Sequence, residues 1–121
     1  MNKYTNTDKD IHKRIYLFVV NCFKNIVKNI YKNPENLPII SQISSSLTSM
    51  GANDQEADAS ESKKDFIAKY TIVKKETKET RYWLLVIRDT NLVKAVDINT
   101  YIQECHEILL IVSKIIKNTR E

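Results

Sequence analysis

The stretch SESKKDFIAKYTIVKKETKETRYWLLVIRDTNLV, residues 60–93, contains neither Gly nor Pro and carries two stripes at helical spacing. Phe66, Tyr70, Val73, Thr77, Thr80, Leu84 and Ile87 alternate steps of four and three, the seam of a coiled-coil-like helix. A second stripe holds Ile72, Glu76, Glu79, Trp83 and Val86. Ser62-Lys63-Lys64-Asp65 has the form of a capping box, in which the hydroxyl accepts an amide proton and the acid reaches back. The predicted helix, 61–89, is about 40 Å long at 1.5 Å per residue. Such a helix must pack lengthwise against others to bury its seam. Thr90-Asn91 supplies the turn, since Asn tolerates the left-handed conformation that ends many helices.

Three more helices follow from the flanking sequence. Ile11, Ile15, Phe18, Val19, Cys22, Ile26 and Ile30 recur at steps of three and four, predicting a helix over 8–32 that stops at Asn33-Pro34. Helix 2 is expected over 37–57, with Pro38 in a first turn that needs no amide donor and Ile40, Ile43, Leu47 and Met50 as its buried stripe. Its Ser and Thr content and Gly51 weaken it, Gly by about 1 kcal/mol relative to Ala. The acidic segment 54–62 has the composition of a mobile loop. Helix 4, 97–118, begins at Asp97 as N-cap and carries Ile98, Tyr101, Ile102, Cys105, Ile108, Leu109, Val112, Ile115 and Ile116. Four amphipathic helices with short connections predict an all-α fold, a left-handed, antiparallel, up-down-up-down four-helix bundle forming one domain over 1–121.

Composition agrees with that expectation. A chain of 121 residues can close one core without disulfides or metals. A single Gly and two Pro disfavour folds built on many tight turns. The longest apolar runs are five residues, too short for a bilayer, and the polar N-terminus lacks a signal-type apolar core. No membrane association and a cytoplasmic location are therefore expected. Cys22 and Cys105 have neither CxxC spacing nor nearby His pairs, which fits small buried hydrophobes kept reduced rather than a metal site.

Glu76 and Glu79 are the sharpest polar feature, two carboxylates three residues apart beside Ile72 and Trp83. As an acid–base pair or metal ligands they would need partners, and the chain has no E-x-x-H motif and only two His, near opposite ends. We therefore expect no catalytic residue, no metal site and no cofactor. Two structural roles stay open for these carboxylates: bonding to Ser49, Asn53 or Arg81 within the subunit, or pairing with basic residues of another subunit. Trp83 is likewise expected either in the bundle core or at an oligomer contact, where aromatic residues are enriched.

The chain resembles a family of small bacterial four-helix-bundle proteins named for members encoded within intervening sequences of large-subunit ribosomal RNA genes. Two patches carry the resemblance: Ser41-Gln42-Ile43 followed by Ser49-x-x-x-Asn53-x-x-Glu56, similar to the family's S-x-x-x-N-x-x-E run, and residues 62–93, similar to the third helix of one branch. The likeness spans roughly residues 11–117. Where the family usually has Gly after that Glu, this chain has Ala57. Asp54 and Gln55 replace aliphatic residues, and Ser44 and Ser45 replace basic ones. The resemblance implies a homo-oligomer, typically a pentameric ring, with Ser49, Asn53, Glu56, Glu76, Glu79 and Trp83 as candidates for its interface or structural polar contacts.

Charge divides the remaining function classes. The net charge of +4 is distributed as +5 over residues 1–33, −5 over 34–62 and +4 over 63–121. Lys24, Lys28 and Lys32 on helix 1 and Lys74, Lys75 and Lys78 on helix 3, together with Lys63, Lys64 and Lys69, are the candidate nucleic-acid surface. Their attraction for RNA or DNA phosphate would be sequence-independent and salt-sensitive, and a ring would multiply it by avidity. The competing expectation is a protein–protein scaffold or accessory subunit of a mobile-element or RNA-processing system, whose acidic exit from helix 2 docks a basic partner protein.

Overall fold

In the computed structural model, which describes residues 10–94 and 97–121, all seven side chains of the 66–87 seam are buried. Their helix, α3, spans Lys63–Asp89. Ser62 caps it, its hydroxyl accepting from the Asp65 amide at 3.0 Å. At the far end Asn91 takes the left-handed conformation, with φ 56°. The Leu92 amide then reaches the Ile87 carbonyl and the Asn91 amide reaches that of Arg88, both at 3.1 Å, the paired bonds of a Schellman stop.

The second helix, α2, spans Leu37–Asp58 and runs through Gly51 without a break. Gly51 lies against α1, where an added Cβ would meet Val19 at 3.5 Å, an ordinary contact. The helix thus includes Asp54 to Asp58, the first part of the acidic segment whose composition suits a loop. Asp54 continues the buried spacing of Ile43, Leu47 and Met50 and is itself completely buried. Only residues 59–62 connect α2 to α3.

The first helix, α1, is shorter than its periodicity implies, Asp10–Asn25, and residues 8 and 9 lie outside those described. It gives way to a 3₁₀ turn at Val27–Asn29. Asn29 Nδ2 donates to the Asn25 carbonyl at 2.8 Å, taking up an acceptor that the ended helix leaves free. The tighter winding lets Ile26, Val27 and Ile30 all reach the core, and so closes one end of the bundle. The last helix, α4, spans Ile98–Arg120, and its N-cap Asp97 accepts from the Thr100 hydroxyl at 2.7 Å.

Helices α1 and α3 each pack against both α2 and α4 and lie diagonally across the bundle from each other. Successive helices are antiparallel neighbours, and no strand occurs among the described residues, so the fold is an all-α four-helix bundle. The core is continuous from Ile11 and Phe18 through Leu47 and Leu84 to Ile108 and Val112. Cys22 and Cys105 are buried free thiols within it. Burial pushes the Cys105 thiol up to about 12 and Cys22 upward as well, so neither is a ready nucleophile.

Candidate nucleic-acid interface and oligomer surface

The two flanks of α3 are oriented by contacts to its neighbours. Toward α2, Lys69 pairs with Glu56 at 2.9 Å and the Thr80 hydroxyl donates to Ser46 at 2.8 Å. Glu76 falls between those contacts along the helix, level with Ser49 and Asn53, and Trp83 lies one turn beyond Thr80. Toward α4, Arg88 donates to Asn99 at 3.1 Å, and the Cys105 thiol donates to the Thr77 carbonyl at 3.3 Å.

On the α2 flank the candidate residues do not form a closed intrachain network. Asn53 Nδ2 donates to the Ser49 carbonyl at 2.9 Å and to its hydroxyl at 3.2 Å. Neither the Glu76 nor the Glu79 carboxylate has a hydrogen bond or ion pair among the described residues, so bonding to Ser49, Asn53 or Arg81 is not the arrangement present. Both side chains are half-buried, and Ile72 beside them is exposed. Trp83 is also half-buried; it packs on the edge of the core and meets Tyr82 edge to face at 4.8 Å. Its indole N–H is buried without an acceptor among the described residues.

The lysines separate into two groups. Lys24, Lys28 and Lys32 are exposed at the end of α1 and beyond it, whereas Lys75 and Lys78 are exposed and Lys74 half-buried midway along α3. Because α1 and α3 are diagonal, their outward faces point in opposite directions. The candidate lysines of helices 1 and 3 therefore lie on two separate faces. Lys69 leaves the set in part, since its bond to Glu56 holds its charge in place and raises its pKa. Lys63 and Lys64 are exposed at the start of α3.

Several polar residues escaped sequence reasoning. His12 Nδ1 lies 2.8 Å from Asp54 Oδ1, its Nε2 lies 3.2 Å from Asp58 Oδ1, and the Tyr70 hydroxyl donates to Asp54 Oδ1 at 2.7 Å. This cluster ties α1, α2 and α3 together at one end. Arg14 bridges α1 to α4, donating to Glu104 at 2.7 and 2.8 Å and to Glu107 at 2.9 Å. The Glu104 bond is the main cause of Arg14's raised pKa, and Arg14 holds the Glu107 carboxyl below its usual range. For Asp54 the signal was available: it sits seven residues after Leu47, on the buried stripe. For Arg14 nothing in the local sequence identifies a partner some ninety residues away.

An open cleft of about 700 Å³ lies between α1 and α4, lined by Leu17, Phe18 and Tyr101 and walled by the Arg14 bridge. Among the described residues no group of three or more His, Cys, Asp or Glu could hold a metal, and no helix is long and apolar enough to cross a membrane.

Residues 7–114 match the family model described as 23S rRNA-intervening sequence protein. Among solved structures, the chain is similar to a protein of unknown function from the S23 ribosomal protein family of Bacteroides thetaiotaomicron. The two share 31% identity and a TM-score of 0.79, with 91% of this chain and 97% of that one covered. No curated protein matches the chain.

Proposed function

From the fact that the chain belongs to the 23S rRNA-intervening sequence protein family, we propose that it acts without catalysis, as a homo-oligomeric bundle that associates with nucleic acid, structured RNA in the first instance. The oligomer is a ring, a pentamer for preference, assembled through the α2 flank of α3 with Ile72, Glu76, Glu79 and Trp83 at the contact. The whole of 1–121 serves as one bundle domain in each protomer.

One observation carries the choice of nucleic acid over a basic partner protein. Three of the acids at the exit of α2 are engaged by the bundle's own bases, Asp54 and Asp58 by His12 and Glu56 by Lys69. Lys74, Lys75 and Lys78 have no ion pair among the described residues. Among the described residues unpaired Lys and Arg outnumber unpaired acids, so the uncommitted charge is positive on balance and suits phosphate better than it suits a cationic protein.

Titration of structured RNA at two salt concentrations tests this. Binding at low salt that collapses as salt rises is the expected result. No binding at low salt would remove the nucleic-acid module and leave the scaffold or accessory-subunit alternative.

A further inference from the structure

We propose that the groove between α3 and α4 is the docking surface, and that its occupant is the sugar-phosphate backbone of double-helical RNA. The proposal rests on the nucleic-acid reading above and assigns it to one face of the bundle, joining Lys74 and Lys78 with Arg81, Arg88 and residues of α4. At 3.6 residues per turn, Lys74, Lys78, Arg81 and Arg88 lie along one side of α3. The Arg88–Asn99 bond fixes that side as the one turned toward α4. Across the groove, Asn99, His106 and Ser113 recur every seven residues, and Lys117 follows one turn later on the same side.

Charge on this face is one-sided. The acids of α4, Glu104 and Glu107, point the other way, toward α1, where Arg14 holds them. Glu76 and Glu79 of α3 sit toward α2. Asp89 is bound to Arg88 at 2.8 Å. Lys78, Arg81 and Lys117 have no ion pair among the described residues. Beneath the groove, Arg81 Nε and His106 Nδ1 are shielded from solvent and make no hydrogen bond among the described residues.

The pattern favours a duplex over a single strand. Non-specific single-strand binders stack bases on aromatic rings, and this side of α3 and of α4 carries none. The nearby exposed ring, Tyr82, leans on Trp83 instead. Cations repeating along α3, with Lys117 facing them from α4 roughly 8–10 Å away, suit phosphates flanking a groove. The neutral donors between them, Asn99 and Ser113, suit the 2′-hydroxyls that an A-form minor groove displays.

The test uses the full-length protein with a mixed-sequence RNA duplex, the DNA duplex of the same sequence, and each RNA strand alone. Lys78→Ala/Lys117→Ala removes two exposed, unpaired cations from the groove. Lys24→Ala/Lys28→Ala/Lys32→Ala removes the patch at the end of α1. Circular dichroism checks that both variants fold. We expect the groove variant to lose about tenfold or more in RNA-duplex affinity at low salt, with its salt slope reduced by about two. The α1 variant should stay within about twofold of the parent. Equal or tighter binding of DNA or of single strands would overturn the occupant. Loss in the α1 variant with the groove variant unaffected would overturn the location while leaving nucleic-acid association standing. Failure of the parent protein to bind any of the probes would instead overturn the parent reading, and the groove proposal with it.

Discussion

The two flanks of α3 differ in what they leave unfinished. Toward α2 the helix presents half-buried carboxylates, an exposed isoleucine and an indole N–H with no acceptor. Toward α4 it presents Lys74, Lys78 and Arg81, which have no ion pair among the described residues, and Arg88, which is held by Asp89. Both flanks border the same buried seam, so the difference lies entirely in the residues one step to either side of it. One flank suits contact with a protein surface and the other suits a polyanion. A ring closed through the α2 flank would leave the α4 flank of every protomer open, and several weak cationic grooves would then act together.

The largest expected effect comes from breaking the α2 flank. Trp83→Ala should dissociate the oligomer, and affinity for RNA should fall by about a hundredfold through lost avidity even though no groove residue has changed. Sedimentation of the variant at tens of micromolar checks the first outcome, and titration checks the second. If RNA affinity survives dissociation, avidity contributes nothing and the flanks are independent.

Asp54 tests whether α2 and α3 are tied from the inside as well. Asp54→Ala strips a buried partner from both His12 and Tyr70, and we expect a loss of about 3 kcal/mol in urea unfolding. Tyr70→Phe removes one of those bonds and should cost about 1 kcal/mol. Equal losses for the two variants would mean that the carboxylate matters only to Tyr70.

The α1/α4 bridge is a weaker tie. Arg14 and Glu104 are each about a third exposed, at 35% and 32% of the side chain, so Arg14→Ala should cost no more than about 1 kcal/mol at neutral pH. Its pH signature is more telling. Arg14, and secondarily Gln103, hold the folded Glu107 carboxyl below the ordinary glutamate value of 4.5. That stabilisation is complete above 4.5 and is lost as pH falls through the lower folded value. Stability measured from pH 6 downward should therefore fall less steeply in Arg14→Ala than in the parent.

The smallest effect is a gain. A methyl at Gly51 meets Val19 at an ordinary contact distance within a continuous helix, so Gly51→Ala should raise stability by about 0.5–1 kcal/mol. A loss would indicate that α1 approaches α2 more closely than this contact allows.

How legible these features were depends on their range along the chain. The α3 seam, its Ser62 cap and its Asn91 stop could be read directly, because each is a pattern within a few residues of itself. The burial of Asp54 is obscured by composition: it stands among acids near the end of the helix expected over 37–57, although its spacing matches the buried stripe. The early end of α1 was missed because apolar periodicity continues through Ile26 and Ile30, which the 3₁₀ turn also buries. The separation of the α1 and α3 lysines depends on which helices are neighbours, and periodicity within one helix carries no such information. The groove on the α4 flank was hidden for the same reason. Half of it comes from residues such as His106 and Lys117, which join α3 only through the register set by the Arg88–Asn99 and Cys105–Thr77 contacts.

Everything proposed for the α4 flank gains its strength from assembly through the α2 flank, so the native mass is the decisive quantity. Light scattering on the pure, nucleic-acid-free protein at tens of micromolar should give about 70 kDa, the mass of five 14.1 kDa protomers. A mass of one protomer would contradict the account and assign Trp83 to the edge of its own core alone.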